Sequence, residues 1–522
     1  MSFKLTYSTM FDPPEELHTR FESALARVRG GLGSRHDHFV NGADRLGRRY
    51  RETKSPVDRD ILIGSFPEGA EEDAAVAMEA ARAAWPGWRA LPAADRIGIL
   101  RRAGALIEER VYDVAAAVAI EVGKNRMEAL GEVQETAEFF HCYCDEFERQ
   151  KSFDHALPDD PLKGCRSRNR SVMKPYGVWV VIAPFNFPFA LAGGPAAAAL
   201  VTGNTVVLKC ATDTPWAGRL LAECLRDAGL PAGVFNYVLG PGGSVGEALL
   251  GHPHAAGVTF TGSHEVGMKI LRRFAGGSVP RPCIAEMGGK NPVIVTRNAD
   301  LERAALGIVR SAFGMGGQKC SALSRIYVEH GVADALIDRL VEATRAIRIG
   351  DPTVRENWLG PLISERARDS YRRYVGELAA GGAGIVAGGG TPAGATVDRG
   401  WYCAPIIAET PLDHPLWQHE MFVPIATLAR VPDRDTAMRL CNESNLALTA
   451  GFYGGSDEVD WFLDKIEAGV TYVNRPQGAT TGAWPGYQPF GGWKGSGSTG
   501  KGIASYYYLA QYLREQSQTI VD

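Results

Sequence analysis

The sequence contains no C-x-x-C pair, no repeat of fixed period and no excess of either charge. Its tightest cysteine pair, Cys142 and Cys144, has C-x-C spacing, which suits neither a dithiol redox centre nor a zinc knuckle. The nine cysteines are odd in number and irregularly placed, which points to reduced thiols in a reducing cytoplasm. The H-x-H pairs His36/His38 and His252/His254 have no third ligand near in sequence, so they read as surface turns, and no metal is expected. Lys plus Arg total 56 against 60 Asp plus Glu, a net charge of -4, which offers no attraction for nucleic acid or an acidic membrane. The opening MSFKLTYSTMFDPPEEL carries no apolar core, so no secretory signal is expected. With 45% hydrophobic and 22% charged residues over 522 positions, disorder, collagen and a coiled coil are excluded. A chain of this length builds a large core without staples, over roughly three to four domains.

One long run without charge, 175–208, is long enough to span a bilayer. It also holds Pro175, Pro184, Pro188, Pro195 and the Gly193-Gly194 pair, which a lipid-facing helix does not tolerate. A buried strand, a turn and a small-residue helix fit it better. From there on, β-rich runs (178–182, 205–209, 235–239, 258–260, 292–295, 324–328) alternate with helical ones (189–201, 217–228, 245–250, 265–274, 301–313, 331–347). That alternation predicts an α/β protein with parallel sheets covered by helices on both faces. The segment 151–170, rich in Pro, Asp and Arg, breaks the pattern and reads as a linker or an arm lying on a partner. The helix expected over 127–148 is rich in acids.

Several short segments suggest chemistry. Gly240, Gly242 and Gly246 follow one predicted strand, and Gly262, Ser263 and Gly267 follow another. Both are strand-to-helix turns whose backbone N–H groups suit a phosphate. Cys320 lies in Gly-Met-Gly-Gly-Gln-Lys-Cys-Ser, where small neighbours leave room for a substrate carbon. Glu286, before Gly288-Gly289, reads either as a capping acid or as a base on flexible backbone. Asn186, between Phe185 and Phe187, offers an amide NH₂ suited to an oxyanion, or else simply shapes a turn. A cysteine with a carboxylate but no histidine suggests an acyl-enzyme released by water.

Together the segments P-F-N-F-P (184–188), T-V-V-L-K (205–209), F-T-G-S (260–263), E-M-G-G-K (286–290), G-Q-K-C-S (317–321), E-M-F-V-P (420–424) and P-F-G-G (489–492) resemble the aldehyde dehydrogenase superfamily. The resemblance implies two doubly wound parallel-sheet domains and a small β arm for oligomerisation. It assigns 1–156 and 177–285 to NAD(P) binding and 286–475 to catalysis. The arm and C-terminal tail take 157–176 and 485–522, and a substrate-anchor loop takes 478–492. It also implies that Cys320 is the nucleophile, Glu286 the base, and Asn186 with the Cys320 N–H the oxyanion hole. Lys209, Thr212, Gly242, Gly246, Gly262, Ser263, Glu420 and Phe422 are then cofactor residues, and the partners a small aldehyde and a second copy of the chain, as a homodimer or higher homo-oligomer.

Ser321 after the nucleophile, and Gly482-Ala483 in the anchor loop, resemble the branch that oxidises glutamate γ-semialdehyde. There the hydroxyl and the bare amides would hold an α-carboxylate, with Phe187 and Phe490 completing the substrate site. Two positions depart from the superfamily pattern. Thr212 stands where a ribose-binding Glu is usual, which predicts use of NADP as well as NAD. Val423 replaces a glycine. Another semialdehyde, a CoA-acylating dehydrogenase and a catalytically silent paralogue are the alternative readings.

Overall fold

The computed structural model describes residues 3–161, 163–395, 397–478 and 484–521. Two seven-stranded sheets form its frame. In the first, Cys283–Glu286, Ala255–Thr261, Val178–Ile182, Thr205–Lys209 and Phe235–Val238 run parallel in that order, and His38–Val40 and Ala43–Arg45 close the edge antiparallel. In the second, Ile406–Glu409, Ile425–Val431, Leu323–Glu329, Asn291–Val295, Thr449–Tyr453 and Val470–Val473 are parallel, with Gly384–Gly388 antiparallel at one edge.

The central strands are nearly unbroken apolar runs, VWVVI at Val178–Ile182 and TVVLK at Thr205–Lys209. Strands buried on both faces require that composition, and β-branched side chains favour the extended backbone. The uncharged run is resolved as one strand, the small-residue helix Ala190–Val201 and the next strand. Small residues let that helix approach its neighbours closely. A Cβ on Gly193 would sit 2.4 Å from Thr136 Cγ2, on the helix Arg126–Arg149. Helix starts carry their caps: Asn125 accepts from Glu128 N, Ser263 from Val266 N and Asp300 from Arg303 N. Among the described residues no helix is long and apolar enough to cross a membrane.

A three-stranded antiparallel sheet stands apart from both frames: Leu513–Val521 pairs along its whole length with Ser167–Pro175, which pairs in turn with Asp154–Leu157. The charged break at 151–170 therefore contains strand, beginning at Asp154.

The histidine reading is corrected by the fold. His38 is no surface residue: it is fully buried in the strand His38–Val40, where its Nδ1 accepts from Leu239 N at 3.1 Å. His36 stacks on Phe66 at 4.8 Å. A buried imidazole hydrogen-bonded to backbone gives no sequence signal that separates it from an exposed one.

Loops of the two sheets line one cleft. The turns carrying Asn186, Lys209 and Gly262 leave the carboxyl ends of first-sheet strands, where doubly wound sheets open a crevice. Gly288-Gly289, Cys320 and Glu420 lie just before second-sheet strands.

Candidate active site

Between those loop sets lies a cleft of about 410 Å³ whose wall includes Asn186, Gly262, Ser263, Cys320, Glu420 and Phe422.

The helix Leu301–Phe313 ends in a turn where Met315, Gly316 and Gly317 all take left-handed backbone, with φ of 52°, 65° and 67°. A Cβ on Gly317 would lie 2.4 Å from the Val423 carbonyl oxygen, and one on Gly289 would lie 2.3 Å from the Cys320 carbonyl oxygen. These glycines therefore let backbone pack against backbone; the space they leave is not substrate room. The nucleophile loop is pinned from several sides. Gln318 Oε1 accepts from Ile363 N at 2.9 Å. Asn291 Nδ2 donates to the carbonyls of Cys320 and Ala322 at 2.7 and 2.8 Å. Burial pushes the Cys320 thiol up to about 12, and the charges of Glu420 and Glu286 add to the shift.

Asn186 is buried, and its Nδ2 donates to the Gln318 carbonyl at 2.9 Å. An amide NH₂ has two hydrogens, so one fixes the side chain to the nucleophile loop and the second is left for an oxygen in the cleft.

Glu286 does not sit on flexible backbone. It ends the strand Cys283–Glu286, and the C-terminal segment zips along it. Met287 N donates to Ser496 O at 2.8 Å, while Ser498 Oγ accepts from Ala285 N and donates to Cys283 O. Its carboxylate Oε2 is buried without a hydrogen-bond partner among the described residues. Burial pushes this carboxyl up to about 8, partly offset by the Gly492 N–H. A carboxyl near neutrality can exchange protons at working pH.

The remaining sequence-predicted residues fall into two groups. On the cofactor side, Lys209 is buried and donates to the Cys210 carbonyl at 3.0 Å, and its stem lies 3.7 Å from where a Gly246 Cβ would stand. A Cβ on Gly242 would meet nothing within 4 Å, so that turn faces open space. Ser263 caps the helix His264–Ala275. Glu420 Oε1 accepts from Gly289 N at 2.9 Å, and burial pushes its carboxyl up to about 7. Phe422 has the left-handed backbone, φ 57°, and its ring lies 5.9 Å from Phe185. The adjacent Val423 needs no positive φ, which is why the usual glycine is dispensable there. Thr212 is half-buried, and Asp213 beside it faces Arg51, 3.9 Å away. Gly262, Ser263, Glu420 and Phe422 in the cleft wall, with the open Gly242 turn and the buried Lys209 beside Gly246, fit a nicotinamide dinucleotide.

On the substrate side, Ser321 is buried next to the nucleophile. Phe187 lies under the Lys124 ammonium, 3.4 Å from ring centroid to Nζ. Gly482 and Ala483 lie outside the described residues. The backbone of Phe490 pairs with Ile503 and its ring packs against the first core, as does that of Phe185, which lines the cleft.

Sequence reasoning missed the second layer. Lys319 pairs with Glu128 and Lys124 with Glu132, all four buried. Glu132 Oε1 also accepts from Phe189 N at 2.8 Å, tying the Asn186 turn to the helix Arg126–Arg149. The only signal was a lysine beside the nucleophile and acids at i, i+4 on a helix.

The aldehyde dehydrogenase family profile matches residues 43–517. The chain is 34% identical over 513 residues to a 1-pyrroline-5-carboxylate dehydrogenase of Bacillus mycoides, covering 96% of each. It is 35% identical over 512 residues to 1-pyrroline-5-carboxylate dehydrogenase 1 of Halalkalibacterium halodurans, covering 95% of each. Its fold superposes on a Thermus 1-pyrroline-5-carboxylate dehydrogenase with bound NAD at a TM-score of 0.92 and 30% identity, over 100% of this chain and 99% of that one. The chain belongs to the aldehyde dehydrogenase family and is an NAD(P)-dependent aldehyde oxidoreductase.

Proposed function

We propose that the chain oxidises L-glutamate γ-semialdehyde to L-glutamate, the second step of proline breakdown, through a thioester on Cys320. The observation that carries the chemistry is the meeting of Cys320 and Asn186, with its second N–H free, in one cleft, with the charge of the Glu286 carboxyl acting on the thiol.

The Cys320 thiol loses its proton to water, its Sγ attacks the aldehyde carbon, and the carbonyl oxygen becomes an oxyanion held by the Asn186 amide and the Cys320 N–H. Lys209, Glu420 and Phe422 would hold the oxidised nicotinamide cofactor, which when bound would supply the hydride acceptor for this oxidation. Glu286 then takes a proton from the water that attacks the thioester, releasing the acid and freeing Cys320. Ser321 and the Gly482-Ala483 amides hold the α-carboxylate, with Phe187 beside the chain of the substrate. The names of the relatives support this substrate; a semialdehyde of another amino acid or a dicarboxylate is the second reading.

Thr212, with Asp213 turned toward Arg51, leaves no carboxylate to repel a 2′-phosphate, so NADP serves beside NAD. The antiparallel arm ending in Leu513–Val521 joins two copies of the chain. Steady-state turnover on a panel of aldehydes, with and without CoA, tests the assignment. Highest kcat/KM on glutamate γ-semialdehyde without CoA supports it, and preference for a simple aliphatic aldehyde or a CoA requirement overturns it.

A further inference from the structure

The sheet face behind Glu286 carries a line of hydroxyls that the reaction as described does not use. In the register of the first sheet, Thr259 lies opposite Val181 and Ile284, and Thr261 opposite Glu286. Side chains alternate along a strand, so Thr259, Ile284 and Glu286 project from one face, as does Trp179. The C-terminal segment lays Tyr508 and Tyr512 on that face, both fully buried, with the Tyr512 ring 4.5 Å from Trp179.

The hydroxyls form a chain with a fixed direction. Trp179 Nε1 donates to Thr259 Oγ1 at 2.9 Å. A hydroxyl has one hydrogen to give, and Tyr512 gives its own to Tyr508, so the hydrogen between Thr259 and Tyr512, 2.9 Å apart, comes from Thr259. Tyr512 in turn donates to Tyr508 at 2.9 Å. The Tyr508 O–H is left to donate outward, and among the described residues it has no acceptor. The Glu286 Oε2 atom is a buried acceptor without a donor, and both phenols feel its charge.

We propose that Tyr508 is a positioning residue for Glu286: its hydroxyl, polarised by Trp179, Thr259 and Tyr512 behind it, is the donor that the carboxylate takes up on turning to the attacking water, and it keeps that carboxylate ionised there. This rests on the reading of Glu286 as the base. Burial alone pushes that carboxyl up to about 8, and a donor aimed at the ionised form acts in the opposite sense. The Gly492 N–H donates to it, and its charge acts on the Cys320 thiol and on the two phenols, while Glu420 also acts on Cys320.

The test is the pH profile of kcat, measured where thioester hydrolysis limits turnover. Tyr508→Phe should raise the pKa of the acidic limb by about one unit and lower kcat about tenfold below it. Its high-pH plateau and the first-turnover burst of reduced cofactor should stay as in the wild type. Tyr512→Phe keeps Tyr508 but cuts the chain, and should shift the limb the same way by less. It also serves if the first variant does not fold. Tyr143→Phe is the control: its ring stacks on Tyr508 at 5.7 Å, but its hydroxyl accepts from Ala504 N, and the limb should not move. An unmoved limb in both chain variants, or an equal loss at every pH, overturns the proposal. Glu286→Gln separates the two ideas. If it keeps wild-type turnover, the base assignment has failed; if it stalls hydrolysis while Tyr508→Phe leaves the limb unmoved, only the tyrosine chain has.

Discussion

Replacing Asn186 by Ala removes the only side-chain donor assigned to the oxyanion. One of its N–H groups is committed to the Gln318 carbonyl at 2.9 Å, so a single hydrogen serves the transition state. Loss of one such donor typically costs roughly 10²–10³ in kcat, about 2.7–4 kcal/mol. The other N–H has a separate consequence. The Gln318 carbonyl is buried, and leaving it without a donor costs roughly 1–3 kcal/mol of stability. Asn186→Ala is therefore expected to lower both the melting temperature and the rate. Asn186→Asp keeps the shape but has no hydrogen to give when ionised, and it sets a negative charge against the Gln318 carbonyl. The assay is the single-turnover rate of reduced-cofactor formation, which isolates the steps where the oxyanion exists, with thermal melting recorded in parallel. A single-turnover rate within about twofold of wild type in both variants would contradict the donor role, since that is below 0.5 kcal/mol. A large fall in melting temperature with an unchanged rate would mean that Asn186 only ties the two loops together.

Glu286→Gln should keep a burst of reduced cofactor but slow steady-state turnover by roughly 10²–10⁴. Because a base works only when ionised, and burial raises this carboxyl toward neutrality, wild-type hydrolysis should rise with pH between 6 and 9; a flat profile over that range would contradict it. Ser321→Ala should cost about ten- to a hundredfold in kcat/KM on the carboxylate-bearing substrate, from a charge-assisted hydrogen bond. Aliphatic aldehydes should be much less affected, and equal losses on both would mean that Ser321 supports Cys320 instead. Thr212→Glu should lose NADP activity selectively, and binding titrations of both cofactors should show the same loss. If the wild type already rejects NADP by more than about a thousandfold, roughly 4 kcal/mol, then Thr212 does not decide cofactor choice.

The parallel sheets were legible because buried strands such as Val178–Ile182 and Thr205–Lys209 are short β-branched runs between turn residues. Cys320, Glu286 and Asn186 stood out as candidates through the motifs that resemble the family's, since the residues alone left each with a structural reading as well. What was not legible depends on distance along the chain. Asn291, which holds the nucleophile loop, looks like any strand-start asparagine until its two carbonyl partners are seen. The acids of Arg126–Arg149 look solvated, yet Glu128 and Glu132 are buried because Lys319 and Lys124 arrive from other segments. The glycines around Cys320 invited a reading of open space, whereas backbone from Val423 fills the room at Gly317. In each case the deciding contact joins residues far apart in sequence, and local pattern carries no trace of it.

The central claim is a covalent glutamyl thioester on Cys320, and trapping it tests the claim most directly. Glu286→Gln enzyme, mixed with glutamate γ-semialdehyde and NAD and quenched in acid, should gain the mass of one glutamyl acyl group. Proteolysis should place that mass on the peptide containing Cys320, and Cys320→Ser should show none. No adduct despite a burst of reduced cofactor, or an adduct on a different cysteine, would contradict the account.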